Sequence, residues 1–210
     1  MATVTVLARV PPLAPVTGGA GLPSADAAIA ALGADAPPGL AAEMFEAARA
    51  ALESRGAAAE LAEFLRTWRS NGRPMVWARM TIEAGAAFPI HCHPNIEVVY
   101  VLSGALREDR LRGPPRSRGP FAAGRGASLA DDLSECTAAD FEYGERTRGS
   151  TIVNEIGSVH RSYCGPDEGC DLLALWGGCH ASVARPPRFF DPPKIAVDED
   201  GYPDAEVDAD

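Results

Sequence analysis

The chain has 210 residues, of which 46% are apolar, which is enough for one domain with a buried core and an extension. The formal net charge of −10 disfavours nucleic acids and anionic membrane surfaces as partners, because both attract basic faces. No stretch approaches the roughly 20 consecutive apolar residues that a membrane span needs.

Residues 1–73 predict an N-terminal arm followed by a helical extension. Thr3 to Val10 reads as one edge strand, which the following prolines stop. A short alanine-rich helix starts at Ser24, and a second helix with an apolar face follows Pro38. A third carries apolar residues at helical spacing over 61–68. These helices bear no candidate chemistry, and we expect them to cap a barrel or to form a dimer contact.

The sequence pattern of residues 74–184 is typical of a β domain. Its candidate strands are Met75 to Ile82, Ile96 to Leu102, Phe141 to Tyr143, Ser150 to Asn154, His160 to Cys164 and Asp171 to Trp176. Short strands between turn signals predict a sandwich or a barrel. The arginine-rich stretch from Arg107 to Arg118, within residues 105–130, predicts a loop. Residues 185–210 are proline-rich and then acidic, which is typical of a solvated tail.

The candidate chemistry lies between residues 85 and 104. His91 and His93 are two apart, so on a strand their imidazoles point to the same face and can converge on one ion. Glu97 keeps the same parity beyond a predicted turn and can add an anionic oxygen. Two imidazole nitrogens and a carboxylate suit a first-row divalent metal, and one further ligand from a distant strand would complete a set of four.

The spacing of these residues resembles the first motif of the cupin superfamily. The matching positions are Gly85, His91, His93, Glu97 and Gly104. The second cupin motif is matched at Gly149, Gly157 and His160, whereas Glu155 and Cys164 replace its proline and asparagine. This second motif is most similar to the cupin domain of ChrR-type anti-sigma factors.

The resemblance implies a fold, a ligand set and a metal. The implied fold is mainly β, a double-stranded β-helix (cupin jelly-roll barrel) over residues 74–184, and the implied ligands of one divalent ion are His91, His93, Glu97 and His160. Fe²⁺ is the leading candidate, with Mn²⁺, Zn²⁺ and Ni²⁺ as alternatives. The competing interpretation is a set of buried, hydrogen-bonded polar groups, or a cupin that has lost its metal.

The leading functional hypothesis is a mononuclear non-haem iron dioxygenase that acts on a small organic substrate, with Glu97 as a candidate base. One alternative is a metal-dependent lyase or isomerase that uses Lewis-acid chemistry without O₂. Another is a non-catalytic sensor of a metal or small molecule. One barrel hosts many reactions, so the fold does not choose among them.

The remaining candidates concern the pocket wall, partners and location. Cys164, Trp77 and Trp176 are candidates for lining the pocket, with a plain core role as the alternative for each. Tyr100 has the opposite parity to Glu97 and should face away, and His180 fits neither motif. We expect a homodimer. The five cysteines include no Cys-x-x-Cys pair, which favours reduced thiols and a cytoplasmic location, with an organellar transit peptide as the weaker alternative.

Overall fold

The computed structural model describes residues 1–9, 25–32, 36–54, 69–70, 73–74, 76–92, 96–112, 133, 136–155, 158–176 and 181–183. Two helices, α1 (Ala25–Leu32) and α2 (Leu40–Ser54), lie in this part of the chain. A 3-10 turn, Ala138–Asp140, precedes a strand. Neither described helix has the length and apolar content that crossing a bilayer requires.

Most of the described chain is β-strand. The strands are β1 (Ala2–Arg9), β2 (Arg69–Ser70), β3 (Arg73–Pro74), β4 (Val76–Ile82), β5 (Ile90–Cys92), β6 (Glu97–Leu111), β7 (Phe141–Thr147), β8 (Thr151–Asn154), β9 (Val159–Tyr163), β10 (Cys170–Trp176) and β11 (Ala181–Val183). Nine of them form one sheet along the path β1-β4-β10-β6-β9-β5-β11, with β7 and β8 also pairing with β6, while β2 and β3 pair with each other. All the pairings are antiparallel.

The sheet curls because β6 is shared between its two halves. The first part of β6 pairs with β8 and β10, and the second part pairs with β7 and β9. A 15-residue strand with different neighbours along its length has to turn the sheet from one layer into the other. The predicted fold class, mainly β with a jelly-roll arrangement of antiparallel strands, is confirmed.

Two hydrophobic clusters lie on opposite sides of this sheet. The interior cluster includes Val99, Leu106 and Leu172, all nearly inaccessible to solvent. The outer cluster joins the sheet to α2, whose Leu40 and Met44 are fully buried one helical turn apart. The predicted apolar face of this helix is therefore confirmed, and each such side chain contributes roughly 1.5–3 kcal/mol through burial.

A bulge interrupts β6 near Gly104. On β10, Asp171 pairs with Ser103 and the next residue, Leu172, pairs with Val101, so Leu102 is an extra residue in β6. Gly104 has a φ of 74°, and a Cβ there would collide with the Gly169 carbonyl oxygen. Glycine is required at this position because no other residue combines a positive φ with such a close approach.

The predicted loop over 105–130 is wrong in its first part. β6 continues to Leu111, so Arg107 and Arg110 are strand residues and Arg112 follows directly after the strand. The strand persists because β7, which comes later in the chain, pairs with it from Ala105 onward. Residues 113–132, with Arg116 and Arg118, lie outside the described residues.

The N-terminal segment contributes to the same sheet. β1 pairs with β4 at the edge of the sheet, so the edge strand expected over Thr3 to Val10 is confirmed apart from its last residue. The third predicted helix (61–68) and the predicted tail (185–210) lie outside the described residues. The helical extension as a whole and the division at residue 74 stay predictions.

Candidate metal centre

Two of the predicted ligands face each other across neighbouring strands. His91 on β5 pairs directly with His160 on β9 in the antiparallel register. The centroids of their rings are 4.5 Å apart, with an angle of 62° between the ring planes. Both residues are buried, His160 completely. The imidazoles predicted from separate motifs therefore do meet inside the sheet.

The orientation of the His91 ring is fixed by its own strand. Its Nδ1 atom lies 2.7 Å from the carbonyl oxygen of Pro89. A carbonyl oxygen only accepts hydrogen bonds, so Nδ1 of His91 donates and the lone pair of the neutral ring is on Nε2. A backbone partner of this kind is typical of metal-ligating histidines, because it sets the tautomer and the ring orientation.

The third predicted ligand lies beside the histidine pair. Glu97, the first residue of β6, is only 4% exposed. Its Oε2 atom is 3.6 Å from Nε2 of His160. An anionic oxygen and an imidazole nitrogen thus converge in a region that excludes water, where a carboxylate needs a compensating charge or hydrogen bonds.

The described part of the chain contains two of the four histidines. His93, the fourth predicted ligand, and His180 lie outside the described residues. Within the described part of the chain, no three His, Cys, Asp or Glu side chains stand at the spacing that holds a metal ion. The described part of the proposed site is accordingly the pair of histidines and Glu97.

A cavity of about 360 Å³, measured with its open mouth, lies at this point. Its apolar walls are Met80, Phe88, Val99, Leu106 and Leu172, and its polar lining is His91, Glu97, Glu108, Asn154 and Ser162. A small, largely apolar space with a few convergent polar groups is the usual form of a small-molecule site.

A second carboxylate, that of Glu108, faces the cavity. Glu108 lies on β6 opposite Ser162 of β9, and both are buried residues of the lining. Its Oε1 atom is 4.0 Å from Nε2 of His160. The cavity therefore holds two carboxylates, although the sequence predicted only Glu97.

A closed network of hydrogen bonds joins these groups. Arg110 donates from the same Nη2 atom to Oε2 of Glu108, at 2.7 Å, and to Oδ1 of Asn154. Asn154 donates from Nδ2 to Oε2 of Glu97, at 2.6 Å, and lies 3.3 Å from Oε1 of Glu108. One amide therefore connects both carboxylates to the guanidinium.

The orientation of the Asn154 amide follows from its neighbours. A guanidinium only donates, so the atom that faces Arg110 has to be the amide oxygen. The amide nitrogen then faces Glu97, which only accepts when ionised. This Nδ2 also lies 3.2 Å from Nε2 of His160. Asn154 is 1% exposed, so each of these bonds forms away from water.

Sequence reasoning missed Glu108, Arg110 and Asn154 for two different reasons. Glu108 and Arg110 fall in the stretch that was predicted as a loop, and even on a strand the bulge at Leu102 reverses the parity of β6, so a period of two counted from Glu97 would place Glu108 on the wrong face. Gly104 was a signal for this bulge, because an isolated glycine in a strand often marks one. Asn154 reaches the site only because β8 pairs with β6, which is a long-range contact.

The structure describes the side chains of two of the three candidates for the pocket wall, and neither Trp77 nor Cys164 is among the residues that line the cavity. Trp77 is fully buried in the outer cluster beside α2, on the opposite face of β4 from Met80, so it is a core residue instead. Tyr100 belongs to the same outer cluster, as its parity predicted. The Trp176 side chain lies outside the described part.

Cys164 belongs to the interior cluster, where its sulfur is 3.2 Å from that of Cys170. Hydrogen bonding between the two thiols lowers the pKa of Cys164 and raises that of Cys170. Cys164 is thus a buried core residue next to a second thiol.

By their chemistry these donors suit a divalent first-row metal, although the described residues do not stand at metal-binding spacing. His91 offers Nε2, His160 contributes a second buried imidazole, and Glu97 supplies an anionic oxygen. Mixed nitrogen and oxygen donors of this kind suit Fe²⁺, Mn²⁺, Zn²⁺ or Ni²⁺. His93 remains the predicted fourth ligand.

No family model matches the chain, and neither does any curated protein. Among solved structures, it is similar to the oxalate decarboxylase of Lactobacillus farciminis in a formate complex, at 20% identity over 50% of this chain and 24% of that one, with a TM-score of 0.33. A cupin-like protein of Thermotoga maritima is 16% identical over 49% of this chain and 56% of that one, with a TM-score of 0.32. The chain thus spans less than two thirds of either protein.

Proposed function

We propose that this protein is a metal-dependent cupin, and within that class a mononuclear non-haem iron dioxygenase that acts on a small organic substrate. One observation carries the proposal. His91, His160 and Glu97 come from three strands and two sequence motifs, yet all three are buried, with His91 and Glu97 lining one cavity and His160 beside both of them. Burying a carboxylate beside two imidazoles costs free energy, and a bound cation would compensate the negative charge of Glu97 in addition to its hydrogen bond from Asn154.

The protein's own groups have separable roles in this proposal. His91 and His160 present imidazoles from opposite strands, and the Pro89 carbonyl keeps Nε2 of His91 free of a proton. Glu97 brings the negative charge, and we propose His93 as the remaining ligand. A bound Fe²⁺ would supply the open positions at which a substrate oxygen is polarised and O₂ is used.

The cavity selects a small molecule with an apolar body and a polar end. Phe88, Leu106 and Leu172 exclude water from one side of the cavity. Glu108 and Ser162, opposite each other on β6 and β9, offer an acceptor and a hydroxyl to a polar substrate group. Excluding water strengthens each of these interactions.

A second candidate function is a metal-dependent lyase or isomerase that does not consume O₂. The observation in its favour is the second carboxylate, since Glu108 faces the cavity without being one of the predicted ligands. A carboxylate in that position is suited to accept a proton from a polarised substrate, and Lewis-acid chemistry needs such an acceptor.

Metal analysis of the purified protein, paired with oxygen-electrode measurements on a panel of small organic acids, diketones and thiols, tests both functions. We expect close to one divalent ion per chain, with iron restoring oxygen consumption in the apo-protein. Turnover of a panel compound without oxygen uptake would favour the lyase or isomerase. A protein that takes up no divalent ion would refute both functions. Full metal occupancy in His93→Ala would refute the proposed ligand set.

A further inference from the structure

In the hydrogen-bond network beside the histidines, the Arg110 guanidinium donates to the Asn154 amide oxygen, and the shortest contact of the Asn154 amide nitrogen is with Glu97. We infer that Asn154, oriented by Arg110, is a positioning residue that holds the Glu97 carboxylate for the metal ion. This inference rests on the proposed function, because it assigns a task toward an ion that Glu97 would bind. We call these two residues, Arg110 and Asn154, the positioning pair.

The geometry leaves the amide of Asn154 a single orientation. Its Oδ1 faces the Arg110 guanidinium, and its Nδ2 faces Oε2 of Glu97 at 2.6 Å. Turning the amide over would place two donors against each other at Arg110 and two acceptors against each other at Glu97. Both changes are unfavourable at a residue with 1% exposure, because no water can compensate.

Arg110 also distinguishes between the two carboxylates. It forms an ion pair with Glu108 at 2.7 Å, and the Arg110 side chain is 27% exposed. The positive charge of Arg110 therefore compensates Glu108, and the amide of Asn154 is the group that this unit presents to Glu97. Of the two carboxylates, Glu97 is thus the one assigned to the ion, and Glu108 is left for the substrate.

The third side of the network makes it rigid. Asn154 Nδ2 lies 3.3 Å from Oε1 of Glu108, so Arg110, Glu108 and Asn154 form a closed ring of contacts. The Arg110 guanidinium also reaches the Val153 carbonyl oxygen at 3.4 Å. A carboxylate held by such a ring loses little freedom when it binds an ion, which raises metal affinity.

Co²⁺ binding to the apo-protein tests the inference without relying on turnover. The proteins compared are the wild type, Asn154→Leu, Arg110→Met and the double variant, each titrated with Co²⁺ against a competing chelator. We expect each single variant to bind Co²⁺ 10- to 100-fold more weakly, the usual effect of losing a partner of a ligand. The visible d–d bands of bound Co²⁺ should also change position or intensity, because the Glu97 carboxylate is no longer fixed.

The double variant provides the decisive comparison. If Arg110 acts through Asn154, the double variant should lose no more Co²⁺ affinity than Asn154→Leu alone, because the effects of residues that act as one unit are not additive. Additive losses would overturn the role of Arg110. Wild-type affinity and an unchanged Co²⁺ spectrum in Asn154→Leu would overturn the role of Asn154.

Two further outcomes keep this test separate from that of the proposed function. A wild-type protein that takes up no Co²⁺ overturns the proposed function and this inference together, whereas binding with no effect of the variants overturns this inference alone. If Asn154→Leu does not fold by circular dichroism, Asn154→Ser replaces it, because serine removes the amide and leaves a smaller polar side chain.

Discussion

The bulge at Leu102 divides β6 into two arms. Odd-numbered residues face the cavity in the first arm, and even-numbered residues face it in the second. In the first arm, Glu97 and Val99 line the cavity, while Tyr100 packs toward α2. In the second arm, Leu106 and Glu108 line it, and Arg107 faces outward toward Glu145. One extra residue therefore decides which charged side chains enter the site.

The position of the proposed ligand Glu97 follows from local strand alternation, whereas the positions of Glu108 and Arg110 depend on the bulge. The first arm follows the simple alternation of a strand and brings Glu97 to the histidines. The second arm reaches the cavity only because the bulge shifts its phase, and it brings Glu108 and Arg110. Breaking the bulge should therefore disturb the second arm more than the first.

Gly104→Ala should have the largest effect on stability. A Cβ at Gly104 would collide with the Gly169 carbonyl oxygen and stand 2.9 Å from Cα of Cys170, and φ is 74°. The positive φ and the overlap together should cost about 3 kcal/mol in the free energy of unfolding, measured with urea. Gly39→Ala is the matched control, because Gly39 has a φ of 80° but nothing within 4 Å of the added Cβ. That control should lose about 1 kcal/mol, the cost of the backbone conformation alone. Equal losses in the two variants would show that the close approach at Gly104 does not constrain the bulge.

Local patterns were sufficient for the first arm and for bringing His91 and His160 together. Alternation predicted that His91 and Glu97 share a face, and motif spacing added His160, which the register of β5 and β9 places directly opposite His91. The apolar spacing of α2 likewise predicted its buried face. These predictions depend on side-chain periodicity, which is a property of a short segment.

The second arm could not be predicted from the sequence, and the reason is physical. Arg107 and Arg110 were predicted to lie in a loop, because the strand from 105 to 111 depends on pairing with β7, more than 30 residues later in the chain. Glu108 requires the bulge, and Asn154 requires the β6–β8 register. Pairings between distant segments set these positions, and no local propensity encodes them.

Replacing the two cavity carboxylates in turn should sharpen the comparison at the level of metal binding. Glu97→Gln is expected to weaken Co²⁺ binding about 100-fold or more, roughly 2.7 kcal/mol, because it removes the anionic ligand. Glu108→Gln should weaken it by less than about 10-fold, since Arg110 already compensates Glu108. The measurement is competition titration of the apo-protein. A larger loss for Glu108→Gln than for Glu97→Gln would assign the ion to the second arm.

Tyr163, which pairs with the second arm at Arg107, should affect the free energy of unfolding at alkaline pH. Burial and the nearby Asp109 raise the pKa of Tyr163 to about 12, and the unfolded chain ionises at about 10. Because the phenol ionises more readily in the unfolded chain than in the folded protein, raising the pH favours unfolding. The contribution of Tyr163 to the free energy of unfolding is therefore complete below pH 10 and is lost as the pH rises through 12. With solvent screening, the loss should be roughly 1 kcal/mol. Tyr163→Phe should flatten that part of the urea-unfolding profile, and an unchanged slope would contradict the assignment to Tyr163.

Arg107→Met should produce the smallest effect, and it is the strictest test of the phase of β6. Arg107 and Arg110 are three residues apart in one strand and therefore point to opposite faces. Arg107 pairs with Glu145 at 3.0 Å with both side chains well exposed, and exposed pairs contribute little to folding. The variant should keep the wild-type urea midpoint and Co²⁺ affinity, whereas the same substitution at Arg110 weakens Co²⁺ binding. If Arg107→Met weakened binding as much as Arg110→Met does, the inward orientation of Arg110 would no longer account for the effect of its substitution.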